Sequence, residues 1–178
     1  MIRHILKATR RFARKENGTA TVEFVMVYPA IIALMLSGVE LGFVVLHHAM
    51  LERAVDLTVR DIRLGTGTNP KHDELKDTIC ERAIFINDCK ANLRLEMIRQ
   101  DPFAAITIPE EPDCTDTSEE VKPVRTFVNG QSNELMVLRA CAKINPIFPT
   151  SILGAQLSDN TDGQYALTAT TAFVQEPL

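Results

Sequence analysis

The feature that most constrains this chain is a run of 25 residues, from Val22 to Leu46, in which only Glu23 and Glu40 are charged. A helix needs about 20 apolar residues to cross the hydrocarbon core of a bilayer, so this run can span a membrane with some tilt. It is longer than the apolar core of a secretory signal, which has about 7–15 residues, and no Ala-x-Ala cleavage site follows it. The sequence therefore predicts a transmembrane helix.

Charge is distributed unevenly on the two sides of this run. Residues 1–18 contain six of the 19 lysines and arginines and one of the 23 acidic residues, a net charge of +5. The rest of the chain has 13 basic and 22 acidic residues, a net charge of −9. Because basic flanks stay in the cytoplasm, we expect a cytoplasmic leader and an exported acidic domain. An acidic domain also lacks the basic surface patch that is typical of nucleic-acid binding.

The start of the apolar run carries the candidate functional residues. Gly18 and Thr19 lie where the basic leader meets the run, so they offer a peptidase a marker of that boundary. A carboxylate inside lipid costs about 2–3 kcal/mol or more, which makes Glu23 a functional candidate. Pro29 is expected to kink the helix. Glu40 lies near the far end of the run, and we interpret it as an ordinary interfacial residue.

The chain divides into three predicted parts: a basic leader over 1–18, a transmembrane helix continuing into an amphipathic stalk over 19–64, and an exported domain over 71–178. Leu51, Val55, Val59 and Ile62 recur at helical spacing and mark one face of the stalk. In the domain, periodicity predicts a helix over 73–86, strands near 93–97, 136–144 and 165–174, and an acidic surface loop over 109–123. The predicted fold class is α+β, with a helix and an antiparallel sheet in the exported domain.

Four cysteines, an even number in a small exported domain, favour disulfides. A straight helix would hold Cys80 and Cys89 about 13 Å apart, but a turn at 87–88 folds Cys89 back within bonding range. We therefore favour Cys80–Cys89 and, by elimination, Cys114–Cys141. Four free thiols and a zinc site are the alternatives, and the absence of a C-x₂₋₄-C pair argues against zinc.

No catalytic constellation, metal site or cofactor site stands out. His47 and His48 are adjacent, so on a helix they point apart and do not form an i, i+4 metal pair. Glycine-rich phosphate loops, G-x-S-x-G and HExxH are all missing from the sequence. We therefore expect a protein that is not an enzyme and that binds no cofactor and no metal.

The motif from Gly18 through Thr-Ala-Thr-Val-Glu-Phe to Pro29, followed by Gly38-Val-Glu-Leu-Gly42, resembles the start of TadE-like proteins. These are minor pseudopilins of the tight-adherence (Tad, or Flp-type) type IV pilus system, and TadF-like proteins start similarly. The resemblance implies that a membrane-embedded prepilin peptidase cuts between Gly18 and Thr19. Glu23 would then be the fifth mature residue and would pair with a neighbouring subunit's new N-terminal ammonium.

The same resemblance implies partners and a location. The partners are the prepilin peptidase, other pilin and pseudopilin subunits, the inner-membrane assembly platform and membrane lipid. The location is the bacterial inner membrane, crossed once, with the N-terminus cytoplasmic and the C-terminal domain periplasmic. The alternative hypothesis is an uncleaved membrane anchor whose periplasmic domain binds a partner or acts as a scaffold. The mature N-terminus, Thr19 or Met1, distinguishes the two.

Overall fold

The computed structural model describes residues 19–64, 70–104, 107–114, 127–158 and 163–176. The leader, including Gly18, and most of the predicted acidic loop lie outside these residues. Four helices and three strands are described in chain order: α1 (Thr19–Arg63), α2 (His72–Arg82), α3 (Cys89–Asn92), β1 (Leu93–Gln100), β2 (Leu135–Ile144), α4 (Ile152–Ser158) and β3 (Tyr165–Val174). The predicted fold class, a long apolar helix followed by a small α+β domain, is confirmed.

Helix α1 has two halves with different surroundings. From Ala20 to Val39 no side chain is buried, and the helix continues through Pro29. In the second half, Leu51, Val55 and Val59 are buried in the core of the domain. Among the described residues, α1 is the helix with the length and composition to cross a membrane. The predicted stalk therefore does not stand free, because its apolar face is one wall of the hydrophobic core.

The sheet is an antiparallel meander in the order β1-β2-β3 and supplies the other wall of the core. Alternate side chains of each strand point to opposite faces, so one face is apolar and packs on α1. Leu93, Leu138 and Ala140 on this face are fully buried. The last strand has the predicted bounds, and β1 extends three residues beyond the predicted 93–97.

Helix α2 packs against the C-terminal part of α1, and a disulfide links it to the segment that follows it. The Arg82 guanidinium donates to the carboxylate of Asp61 and to the hydroxyl of Thr58 on α1. The helix ends at Arg82, so the predicted end at residue 86 is wrong. A non-helical turn follows, and it brings Cys89 to a Cα distance of 5.6 Å from Cys80, where the predicted disulfide forms.

The face of the sheet turned away from α1 carries buried ions. Arg139 Nε donates to Glu96 Oε2 at 2.6 Å, and both side chains are almost fully buried. The Arg139 guanidinium also donates to the carbonyls of Pro109 and Glu111, and the disulfide Cys114–Cys141 holds the same segment on the sheet. The described part of the predicted surface loop, residues 109–114, is thus attached to the sheet, with Asp113 buried and residues 109–111 exposed.

Replacing Arg139 with Met should strongly destabilise the domain, because it leaves the Glu96 carboxylate buried without its cation. Breaking a buried pair on one side costs about 3–5 kcal/mol. The double variant Arg139→Met/Glu96→Leu should recover most of this loss, since replacing both ions with apolar groups removes the uncompensated charge. Denaturant unfolding in detergent, followed by circular dichroism, measures both variants. Equal stability of the single variant and the wild-type protein would contradict the assignment of Arg139 and Glu96 as a buried ion pair.

Candidate functional site

The predicted processing and assembly residues lie at the start of α1. Gly18 lies outside the described residues, and Thr19 is the first residue of the helix. Glu23 lies on the first turns of α1 with its side chain exposed. The described part of the chain contains no ion pair to Glu23. This arrangement leaves the carboxylate accessible to another molecule.

Glu40 is the most buried acidic residue of α1, with no exposed surface. Its Oε1 accepts the backbone N–H of Ile147 at 3.0 Å, and its Oε2 accepts the N–H of Phe148 at 2.8 Å. Glu40 therefore has a structural role that its interpretation as an ordinary interfacial residue did not include. Both carboxylate oxygens are occupied by amides of one loop, residues 145–151, which we call the Glu40 loop. Charge-assisted hydrogen bonds of this kind are about twice as strong as neutral ones.

The Glu40 loop has few free backbone donors. Pro146 and Pro149 have no N–H, and the two residues between them donate to Glu40. Ser151 N–H donates to the Phe148 carbonyl, and Ser151 Oγ accepts from the first turn of α4. A Cβ at Gly154 would lie 2.1 Å from the Phe148 carbonyl oxygen, so only glycine fits there without a shift of the backbone.

The loop and α4 lie beside the apolar half of α1. Ile32, Ala33, Leu36 and Ser37 form a half-covered stripe at helical spacing that leads to Glu40, while their neighbours around the helix are exposed. Helix α4 contacts α1, whereas hydrogen bonds from β3 reach α1 at His47 and His48 and those from α2 reach it at Thr58 and Asp61. The hydrogen bonds of the Glu40 loop are therefore the ones that lie nearest the N-terminus of α1 in the described domain.

A cavity of about 290 Å³ lies between α1 and the ends of the sheet, next to the Glu40 loop. Its lining is mixed: Phe43, Phe85 and Ile147 are apolar, while His47 and Lys143 are polar. The Tyr165 hydroxyl lies 3.4 Å from His47 Nδ1. Burial, and then the nearby carboxylate of Glu40, raise the pKa of Tyr165 to about 12, so the phenol stays neutral.

The part of the chain that the structure describes brings no three potential metal ligands together. The four cysteines are paired as predicted. His48 lies near the Thr168 carbonyl and near Glu52, so the two adjacent histidines serve different contacts. Glu40 is the residue that the sequence reasoning missed. Two sequence features could have indicated its role: it is a second carboxylate in an apolar run, and the pair Ile147-Phe148 is flanked by prolines.

Replacing Glu40 with Ala should destabilise the protein, because the amides of Ile147 and Phe148 lose their acceptors. An orphaned buried donor costs about 1–3 kcal/mol. Glu52→Ala on the same helix is the matched control, since exposed substitutions usually change stability by less than about 0.5 kcal/mol. Thermal unfolding in detergent compares the two. Equal melting temperatures would show that the Glu40 hydrogen bonds contribute nothing.

Residues 18–60 match the family model described as TadE-like protein. Comparison with curated proteins and with solved structures gave no match. The matched residues include the junction at Gly18 and Thr19, both glutamates of the apolar run and the half of α1 that enters the core. This confirms the resemblance of the N-terminal segment. Residues 18–60 are therefore similar to TadE-like proteins, and this match is consistent with a TadE-like protein of Tad pilus systems.

Proposed function

We propose that this chain is a minor pseudopilin that takes part in assembling a Tad-type pilus. The observation that carries the proposal is the division of α1. Its first half presents apolar side chains and the exposed Glu23, and its second half is fixed in the domain core. A subunit built this way is held in lipid by its bare half-helix and then packs that same surface against other subunits. Apolar packing in an assembly replaces the contacts with lipid.

Processing by a prepilin peptidase follows from the junction. Thr19 is the first residue of α1, so a cut after Gly18 removes the leader and leaves the whole helix in the mature protein. Glycine has no Cβ and lets the backbone approach the peptidase closely. The cut also creates a new ammonium group at Thr19, four residues from Glu23.

In this proposal, Glu23 recognises a partner subunit. Its exposed carboxylate lies in the half of α1 that enters lipid, where an unpaired charge is costly. The ammonium of a neighbouring mature subunit offsets that cost when the two helices are in register. Removing one partner of a buried pair costs about 3–5 kcal/mol, so the pair acts as a test of correct alignment.

The remaining partners and the location belong to the same proposal. The protein crosses the inner membrane once, with the leader in the cytoplasm and the domain in the periplasm, where it meets the assembly platform and other subunits. The basic leader supports this orientation. The two disulfides support an oxidising compartment for the domain.

Replacing Gly18 with Phe should leave full-length precursor in the membrane, because the bulky side chain keeps the scissile bond out of the peptidase. Gly42→Phe is the matched control, since a Cβ added at Gly42 meets no atom within 4 Å. The intact mass of protein extracted from the membrane distinguishes a chain starting at Thr19 from one starting at Met1. A wild-type chain that starts at Met1 would support the uncleaved anchor instead.

Replacing Glu23 with Gln should leave membrane insertion intact and reduce the number of pili. Insertion is unaffected or improved because the cost of a charge in lipid is removed. Glu52→Gln, which changes an exposed acid on the domain half of α1, should leave the pilus count unchanged. Counting pili on cells that express each variant at equal level is the measurement. Wild-type numbers with Glu23→Gln would contradict the assembly role.

A further inference from the structure

The Glu40 loop and the first turns of α4 form an uncharged segment at the membrane end of the domain. Residues 144–158 contain no Asp, Glu, Lys or Arg, in a chain of which 24% is charged. Ile147 and Ile152 in this segment expose large apolar side chains, with 43% and 71% of their surface accessible. Ile84 and Phe85, which line the same cavity as Ile147, are also exposed, and clustered apolar surface of this kind marks a contact with a partner or a membrane.

The position of this segment along α1 follows from the Glu40 hydrogen bonds. Twenty helical residues from Ala20 to Val39 measure about 30 Å, the thickness of the hydrocarbon core. Glu40 therefore lies where α1 leaves the core, and Ile147 and Phe148 lie at the same level because they bond to it. The half-covered stripe begins at Ile32, about 12 Å deeper. Helix α4 follows the Glu40 loop directly and contacts α1, so it is placed to cover this stripe below the level of Glu40, toward the bilayer centre.

We propose that the Glu40 loop and the first turn of α4 lie in the periplasmic leaflet beside α1, in contact with lipid. This rests on the proposed insertion of α1 in the membrane. Non-helical backbone is tolerated at membrane depth only when its polar groups are satisfied within the protein. Five of the seven residues of the loop meet this condition at their N–H groups: two are prolines, Ile147 and Phe148 donate to Glu40, and Ser151 donates to the Phe148 carbonyl.

The choice of lipid as the occupant follows from chemistry and continuity. The exposed side chains are aliphatic, and they are continuous with the apolar surface of α1 that already faces lipid. Ile84 and Phe85, also exposed, line the cavity that Ile147 lines and extend the apolar rim around the helix. Glu40 thus has a second role, because the carboxylate that fixes the loop is also shielded from lipid by it.

Tryptophan fluorescence tests the proposal directly because the chain has no tryptophan. Ile152→Trp and Ile147→Trp are each made in the full-length protein and reconstituted at high dilution in phosphatidylcholine–phosphatidylglycerol vesicles with brominated acyl chains. Leu34→Trp on the bare half of α1 is the lipid reference. Val174→Trp is the water reference, since the end of β3 lies beside Ile62 at the far end of α1.

The expected result is that bromolipid quenches at least one of the two loop variants, Ile152→Trp or Ile147→Trp, as it quenches the lipid reference, while aqueous iodide quenches the water reference but not that variant. Quenching of both loop variants by iodide alone, with Leu34→Trp quenched by bromolipid, would overturn the lipid contact and leave the membrane anchor standing. Failure of bromolipid to quench Leu34→Trp would overturn both the lipid contact of the loop and the insertion of α1 in the membrane. Photolabelling of the wild-type chain by an acyl-chain carbene probe gives an independent readout, and absence of label in residues 144–158 would also overturn the proposal.

Discussion

The carboxylate of Glu40 is the interaction on which the placement of the domain depends. It connects the helix to a loop 107 residues later in the chain, and it does so with both oxygens. The rest of the domain packs on the second half of α1 through apolar contacts and through hydrogen bonds farther along the helix, at His48, Thr58 and Ile62. The Glu40 hydrogen bonds are the ones nearest the N-terminus of α1, so they fix the position of the Glu40 loop along the helix. The length of helix that is exposed on all sides, residues 20–31, follows from that position.

That fixed length gives the long helix its two roles. The second half contributes Leu51, Val55 and Val59 to the core, so the helix cannot slide or turn relative to the sheet without opening the core. The first half presents its apolar surface to its surroundings. Under the proposed assembly role, a contact at Glu23 would be transmitted through this attachment to the whole domain. The disulfide Cys114–Cys141 and the buried Glu96–Arg139 pair stiffen the far side of the sheet, and Cys80–Cys89 ties α2 to α3 on the core side.

Much of this fold could be predicted from local sequence. The bounds of α1 follow from the junction at Thr19 and from the glycines and proline after Leu64, and β3 follows from its alternating pattern. The end of α2 could not be predicted, because Ala83 and Ile86 continue the helical spacing and are buried, although the backbone has already turned. The role of Glu40 was missed because its donors are distant in sequence. Helix α4 was missed because its seven residues are too short for a clear period.

Amide hydrogen exchange at Ile147 and Phe148 tests the central claim most directly, since these two N–H groups are the donors to Glu40. In the wild-type protein in nanodiscs, we predict that both amides exchange slowly. In Glu40→Ala both should exchange rapidly, while in Glu52→Ala they should keep their protection. Rapid exchange of the two amides in the wild-type protein, or protection that survives Glu40→Ala, would show that Glu40 does not hold the loop.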